Sequence, residues 1–478
     1  MISQLVNTDI KVRLIQSFEE LNKAFIATPQ ISLEHRLKRL SALENHLQKN
    51  SEKIAAAVQK DFNKPGFESD TSELLTTLVE LRKAKKELRS WTRPKKVATP
   101  TELSGTSHYI RYEPKGVVLI ISPWNYPVNL SLIPLIAAWS AGNRIILKPS
   151  EYTTYTSQLL NELICEIFSS DEIQVIQGDG AVADQLCRLP FNHLFFTGSA
   201  TTAKKIMQAA VENLTPLTLE LGGKSPVIID SNVDLKNIIP DIAYAKTLNA
   251  GQSCISPDFI LLPKQMKDAF VMEWNQCIEK MYGTDPANNP DYCGLIHAKH
   301  YQRILKMIYE SVDAGAQLTE SIQHNEKTGK IKPVLLLNTQ WNHASMQEEI
   351  FGPVLPVICY QTIEEVISQL NANPRPLALY LFSKNQQWSN TMLNKLRSGG
   401  VTINNCLLNF CNFNLPFGGD HHSGSGFNHG RYGFETFSHQ RAVSVQGKLL
   451  NPLRFFYPPF TKTKIRIKNI ALKILGKI

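Results

Sequence analysis

Between Lys115 and Arg144 the chain runs for 28 residues without a charge. A run of that length is long enough to cross a bilayer as a helix. Pro123, Pro127 and Pro134, with Asn125 and Asn129, interrupt it, and lipid offers no water to satisfy the backbone groups that such breaks release. The segment is therefore read as a buried strand, a turn and a buried helix.

The same unit recurs. Short apolar, β-branched runs at 117–121, 145–147, 173–176, 194–196 and 227–229 are each followed by turn residues and a helical pattern. This alternation marks βαβ units in a mostly parallel, doubly wound sheet. Two sets, before and after about Thr215, predict an α/β fold with two such domains. Ahead of them, residues 12–92 show the period and mixed charge of amphipathic helices, ended by a proline-containing linker over 93–100. With 478 residues, 43% of them hydrophobic, the chain has room for two or three domains, which excludes a disordered tail protein or a small stapled domain.

Charge is placed unevenly. The chain has 51 basic and 42 acidic residues, but nine basic residues and no acid follow Glu435. The body is neutral and the tail holds the whole excess of +9. Phosphate recognition needs a basic face, so a nucleic-acid-binding body is excluded. The eight cysteines form no C-x-x-C pair and no zinc spacing with histidine, and read as reduced thiols. No signal-peptide pattern is visible in the first residues, so a cytoplasmic location is expected.

Several segments are candidates for chemistry. Cys254, in NAGQSCISPD, lies among small residues ahead of a Pro-Asp turn, where it is either an accessible nucleophile or a buried inert thiol. Glu220, in TLELGGKS, ends a β-like run and faces a Gly-Gly turn where backbone can approach a ligand. Its GGKS is no phosphate loop, because the first glycine required falls at Thr218. Gly198-Ser199 separates a β-run from a helical run, the layout of a dinucleotide site, although the full glycine pattern is missing. Trp124-Asn125, Lys148 and Glu151 follow two further strands, at the ends where ligands bind in open α/β sheets. His421, His422 and His429 lack acidic or thiol partners at fixed offsets, and read as solvated loop histidines rather than metal ligands.

In order along the chain, EPKGVVLIISPWNYPVNL, AGNRIILKPSE, FFTGSATTAKKIM, LTLELGGKSPV, NAGQSCISPD, QEEIFGPVLPV, PLALYLFS, LPFGG, SGSG and HGRYGFETFSHQRAV resemble the aldehyde dehydrogenase superfamily. The Ser-Pro-Asp after the cysteine and HGR-x-x-FETFSHQR are similar to its class 3 branch, which includes fatty aldehyde dehydrogenases. The resemblance spans about residues 110–445.

It implies NAD(P)-dependent oxidation of medium- or long-chain aliphatic, or aromatic, aldehydes to carboxylic acids. Cys254 matches the family's nucleophile, Glu220 its general base and Asn125 its oxyanion-binding amide. Trp124, Lys148, Glu151, Gly198, Ser199, Glu349 and Phe351 match cofactor positions, with NAD expected first because Glu151 would repel a 2′-phosphate, and NADP second. The implied organisation is a Rossmann-like cofactor domain over 1–215 with an arm strand near 103–111, and a catalytic domain over 216–404. A return segment and oligomerisation strand over 405–450 would serve a homodimer, followed by a basic tail over 451–478. Two departures stand out: Ala203 replaces a second glycine, and Asp420-His421-His422 replaces a Gly-Asn pair where the family sets specificity.

Plotted at about 100° per residue, 464–478 gathers Ile467, Ile470, Ala471, Leu472, Ile474, Leu475 and Ile478 on one face, with Lys468 the exception. Such a helix suits either the surface of an anionic membrane or packing on the rest of the protein. Two other functions compete: a CoA-acylating dehydrogenase, against which Glu220 argues, and a catalytically silent lipid-surface protein, which would have no need of the catalytic residues.

Overall fold

The computed structural model describes residues 2–475. The uncharged run folds as strand Val117–Ile121, a loop and helix Asn129–Ala141. All five strand residues are buried, as are all helix residues but Leu130. Among the described residues no helix is long and apolar enough to cross a membrane.

Two compact units divide the chain, one of residues 1–88 and 114–438, the other of 89–113 and 439–478. The larger unit holds two main sheets. The first has the order Gly424–Ser425, Leu217–Glu220, His193–Thr197, Val117–Ile121, Arg144–Lys148, Ile173–Val175. Its strands are parallel except for the first, which pairs antiparallel with Leu217–Glu220. From Val117–Ile121 the chain winds outward to one side, then returns to the other at His193–Thr197. The crevice at the carboxyl ends of these two strands is where such sheets bind ligands. Strand Leu217–Glu220 belongs to this sheet although it lies past the limit expected near 215.

The second sheet runs Gln317–Leu318, Val334–Leu337, Val354–Tyr360, Phe259–Pro263, Pro226–Ile229, Ala378–Phe382, Gly400–Ile403. Only Gln317–Leu318 is antiparallel. The central strands of both sheets are buried on both faces, which is why they read as unbroken apolar runs rather than alternating ones. Each Leu, Ile or Val so buried stabilises the fold by about 1.5–3 kcal/mol.

The smaller unit contains a three-stranded sheet ordered Lys95–Lys96, Thr106–Pro114, Ser438–Gln446. Its first strand lies in the segment read as a linker, and its last begins four residues ahead of the expected 442. The tail forms helix Lys462–Leu475, on which Ile465, Ile467, Ile470 and Leu472 are about half exposed. Lys477 and Ile478, placed on this helix by the sequence, lie outside the described residues.

Candidate active site

Strand Leu217–Glu220 delivers Glu220 at its carboxyl end, in register with Thr197 on one neighbour and Gly424 on the other. The residue is 5% exposed, and neither carboxylate oxygen has a hydrogen-bond partner among the described residues. Burial pushes its pKa well above the usual carboxylate value, because a charge stripped of water and of hydrogen bonds is disfavoured.

Cys254 sits on a turn that the backbone reaches through three successive left-handed residues, Asn249, Ala250 and Gly251, at φ 55°, 52° and 74°. A Cβ at Gly251 would collide with the Gly352 carbonyl, so only glycine fits the last of these. The half-buried thiol is pushed upward by burial and then by the charges of Glu349 and Glu220, opposed by the backbone N–H groups of Cys254 and Ile255. Burial and the two carboxylates thus favour the protonated thiol over the thiolate.

Asn125 is 3% exposed. Its Nδ2 donates to the Gln252 carbonyl at 3.0 Å, and its own carbonyl accepts from Asn249 Nδ2 at 2.8 Å. The amide is thereby tied to the loop that carries Cys254. Glu349 lies against the Gly222-Gly223 turn: the Gly223 N–H donates to its carboxylate, and a Cβ at Gly222 would strike that carboxylate. Burial, then Asp258, raise Glu349 to about 8.

Cys254 and Glu220 line one cavity of about 380 Å³. Its wall is largely apolar, with Leu130, Ile133, Leu377, Leu408, Phe410 and Phe417. His429 also lines it, and here the sequence reading is corrected. It is not a solvated loop histidine but 2% exposed, its ring 4.9, 4.7 and 4.9 Å from those of Phe410, Phe413 and Phe417.

The cofactor candidates gather at strand ends. Lys148, 3% exposed, closes strand Arg144–Lys148 and pairs with Glu151 at 2.9 Å. Ser199 caps helix Ala200–Ala210 through the Thr202 N–H, leaving Gly198 at the strand-to-helix turn. Trp124 meets the Phe351 ring at 5.3 Å, edge on.

Sequence reasoning missed the residues that tie these loops together. Lys224 pairs with Asp258 and donates to the carbonyls of Ser345 and Glu348 at 2.8 and 3.1 Å. The other Asp258 oxygen accepts from the Ile350 N–H at 2.9 Å. The loops of Glu220, Cys254 and Glu349 thus share one ion pair, and its two ends were visible in GGKS and SPD. Tyr126, next to Asn125, is hydrogen-bonded to the Ser253 side chain and lines the cavity.

Two wound sheets whose loops bring a thiol and a buried carboxyl to one largely apolar chamber define an α/β enzyme fold with a single shared candidate site for the two groups. The chain belongs to the aldehyde dehydrogenase family, whose model matches residues 12–443. It is an enzyme of aldehyde oxidation. It is 39% identical to the 4,4′-diaponeurosporen-aldehyde dehydrogenase of Staphylococcus aureus over 88% of this chain and 91% of that one. It is 36% identical to the aldehyde dehydrogenase family 3 member B1 of Rattus norvegicus, over 95% of this chain and 96% of the relative. Among solved structures it resembles the substrate-bound state of Staphylococcus aureus AldH, with a TM-score of 0.91 and 37% identity over 95% of this chain and 99% of that one. An indole-3-acetaldehyde dehydrogenase in complex with NAD+ follows at TM-score 0.83 and 26% identity, over 91% and 89% of the two chains.

Proposed function

We propose that the chain oxidises aldehydes to carboxylic acids through a covalent intermediate on Cys254, with Glu220 as the base. The shared cavity carries this reading, since Glu220 has a buried carboxylate with no partner facing the same space as the thiol. In its ionised form a carboxylate so buried is a stronger base than an exposed one; it takes the thiol proton, and the sulfur then adds to the aldehyde carbon. One N–H of the Asn125 amide is engaged by Gln252. The other, with the Cys254 backbone N–H, binds the developing oxyanion, each such donor contributing about 2.7–4 kcal/mol.

The strand-end residues fit a nicotinamide dinucleotide. The crevice lies at the point where strand order reverses, and a capped helix of 11 residues offers its free N–H groups to a diphosphate. Gly198 and Ser199 would hold that diphosphate, Lys148 and Glu151 the adenosine side, and Trp124, Glu349 and Phe351 the nicotinamide side. A bound nicotinamide supplies the acceptor for the hydrogen that leaves the substrate carbon with its electron pair. The proton that Glu220 took from the thiol leaves to solvent; ionised again, Glu220 draws a proton from water, which attacks the thioester on Cys254 to release the acid, and passes that proton to the departing sulfur. Glu151 favours NAD by charge, and its pairing with Lys148 tempers the repulsion, so NADP is the second choice.

The apolar wall supports medium- or long-chain aliphatic and aromatic aldehydes as substrates. Three further parts of the reading are the homodimer, paired through strand Ser438–Gln446, peripheral contact of the tail with the cytoplasmic face of an anionic membrane, and the 1–215 and 216–404 division of labour.

Mixing Glu220→Gln enzyme rapidly with aldehyde and NAD is expected to give a burst of at most one reduced cofactor per site, formed more slowly than in wild type because no carboxylate takes the thiol proton, followed by still slower turnover. Cys254→Ala is expected to give no burst. A fast steady state in either variant would sink the mechanism. With CoA present, free acid rather than acyl-CoA is the expected product.

A further inference from the structure

We propose that Glu68 is a positioning residue for the oxyanion site, acting through Asn249 to hold the Asn125 amide in place; the inference rests on the role given above to Asn125. Glu68 does not line the cavity. It lies in the short helical turn Gly66–Ser69, far in sequence from the catalytic loops. Its Oε1 accepts the backbone N–H of Asn249 at 2.7 Å, the first of the three left-handed residues before Cys254.

Asn249 is the hub of the site's polar frame. Its Nδ2 donates to the Asn125 carbonyl at 2.8 Å and to the Gln252 carbonyl at 3.1 Å. The Gln252 carbonyl in turn accepts from Asn125 Nδ2 at 3.0 Å. These three residues form a closed ring, which Gln252 anchors further at the Gly294 carbonyl and the Ile296 N–H, both at 3.0 Å. A non-glycine residue prefers to leave the left-handed region. A carboxylate that grips its N–H holds it there, and with it the direction in which Asn125 points.

The grip depends on charge. Burial first, and Glu73 with it, raise Glu68 to about 7, against the lowering effect of Lys64 and of the Asn249 N–H. Glu73 is itself paired with Lys64 at 3.0 Å, both fully buried. Tyr126, Tyr244, Tyr282 and Tyr292 face Glu68 from the neighbouring segments, as does Cys293. All five have their pKa raised further by its charge and stay neutral across the range in question. A hydrogen bond to an ionised acceptor is about twice as strong as one to a neutral acceptor. Asn125 is therefore held more firmly as pH rises through the pKa of Glu68.

The test is steady-state kinetics with NAD and one good aldehyde across pH, on wild type, Glu68→Ala, Glu68→Gln, Asn125→Ala and the double variant Glu68→Ala/Asn125→Ala. Above the pKa of Glu68, Glu68→Ala is expected to lose about tenfold in kcat, with KM for NAD within about twofold. Glu68→Gln keeps an acceptor and is expected to recover to within about threefold. The ratio of wild-type to Glu68→Gln kcat is also expected to rise with pH through about 7, since titration of Glu220 is common to both and cancels. In the Asn125→Ala background the Glu68→Ala loss should vanish, since the amide it positions is gone. The proposal is overturned if Glu68→Ala keeps wild-type kcat, if the two losses add, or if the ratio of wild-type to Glu68→Gln kcat does not change with pH. Full activity in Asn125→Ala would overturn the oxyanion reading itself, a separate result.

Discussion

Glu80 is 1% exposed, accepts the Gly430 N–H at 2.8 Å with one oxygen and has no hydrogen-bond partner for the other among the described residues. Burial raises it to about 7, against about 4.3 for an unfolded chain. The folded state therefore binds the proton more tightly than the unfolded state does. Its contribution is fully present below the unfolded value and is lost as pH rises through the folded one, by on the order of 3 kcal/mol. Glu80→Gln is expected to flatten this dependence between the two values. Urea unfolding midpoints at the two ends of that window measure it, and a wild type that gains stability with pH while the variant does not would refute it.

The helix that follows Asn125 takes its cap from a distant element. Glu73, in the π-helical turn Asp70–Leu75, accepts the N–H groups of Val128 and Asn129 at 2.8 and 3.3 Å. Its other oxygen pairs with Lys64 in full burial. Removing one member leaves the other charged and buried, at a cost of about 3–5 kcal/mol. Glu73→Ala is expected to lose that much in denaturant titration, and Lys64→Met/Glu73→Leu to recover most of it. An unchanged midpoint in Glu73→Ala would show that the pair contributes nothing.

The same elements mark what sequence can carry. Strand Val117–Ile121 was legible to the residue because a parallel strand buried on both faces is an apolar run between turn signals. Cys254, Glu220 and Asn125 stood out because each ends such a run or lies in a tight loop. The Glu73 cap on Val128 and Asn129 was not legible, since helical periodicity around Glu73 says nothing about N–H groups some 55 residues on. His429 read as polar, and only the fold shows three phenylalanines enclosing it. The order of the second sheet, where Phe259–Pro263 lies between Val354–Tyr360 and Pro226–Ile229, follows from long-range pairing that local pattern does not record.

At the scale of the whole molecule, strand Ser438–Gln446 lies at the end of its sheet, with all but two of its nine residues exposed. An open strand edge of that length invites a partner strand. Size exclusion with light scattering is expected to give twice the 53.8 kDa chain mass, and a monomer at micromolar concentration would count against the dimer. In the tail, exposed Phe456, Tyr457, Phe460, Ile467 and Leu472 alternate with lysines and arginines. Flotation with anionic vesicles is expected to carry the full chain and not one truncated after Tyr457, with neutral vesicles carrying neither. Equal flotation of both forms would assign the tail to packing instead.

The protonated state of Cys254 has a consequence for the enzyme's durability. Peroxide and electrophiles attack thiolates far faster than thiols. A sulfur kept neutral by burial is thus expected to react slowly with oxidants. Alkylation by iodoacetamide in the absence of substrate should accordingly be slow and still climbing at the highest pH the protein tolerates.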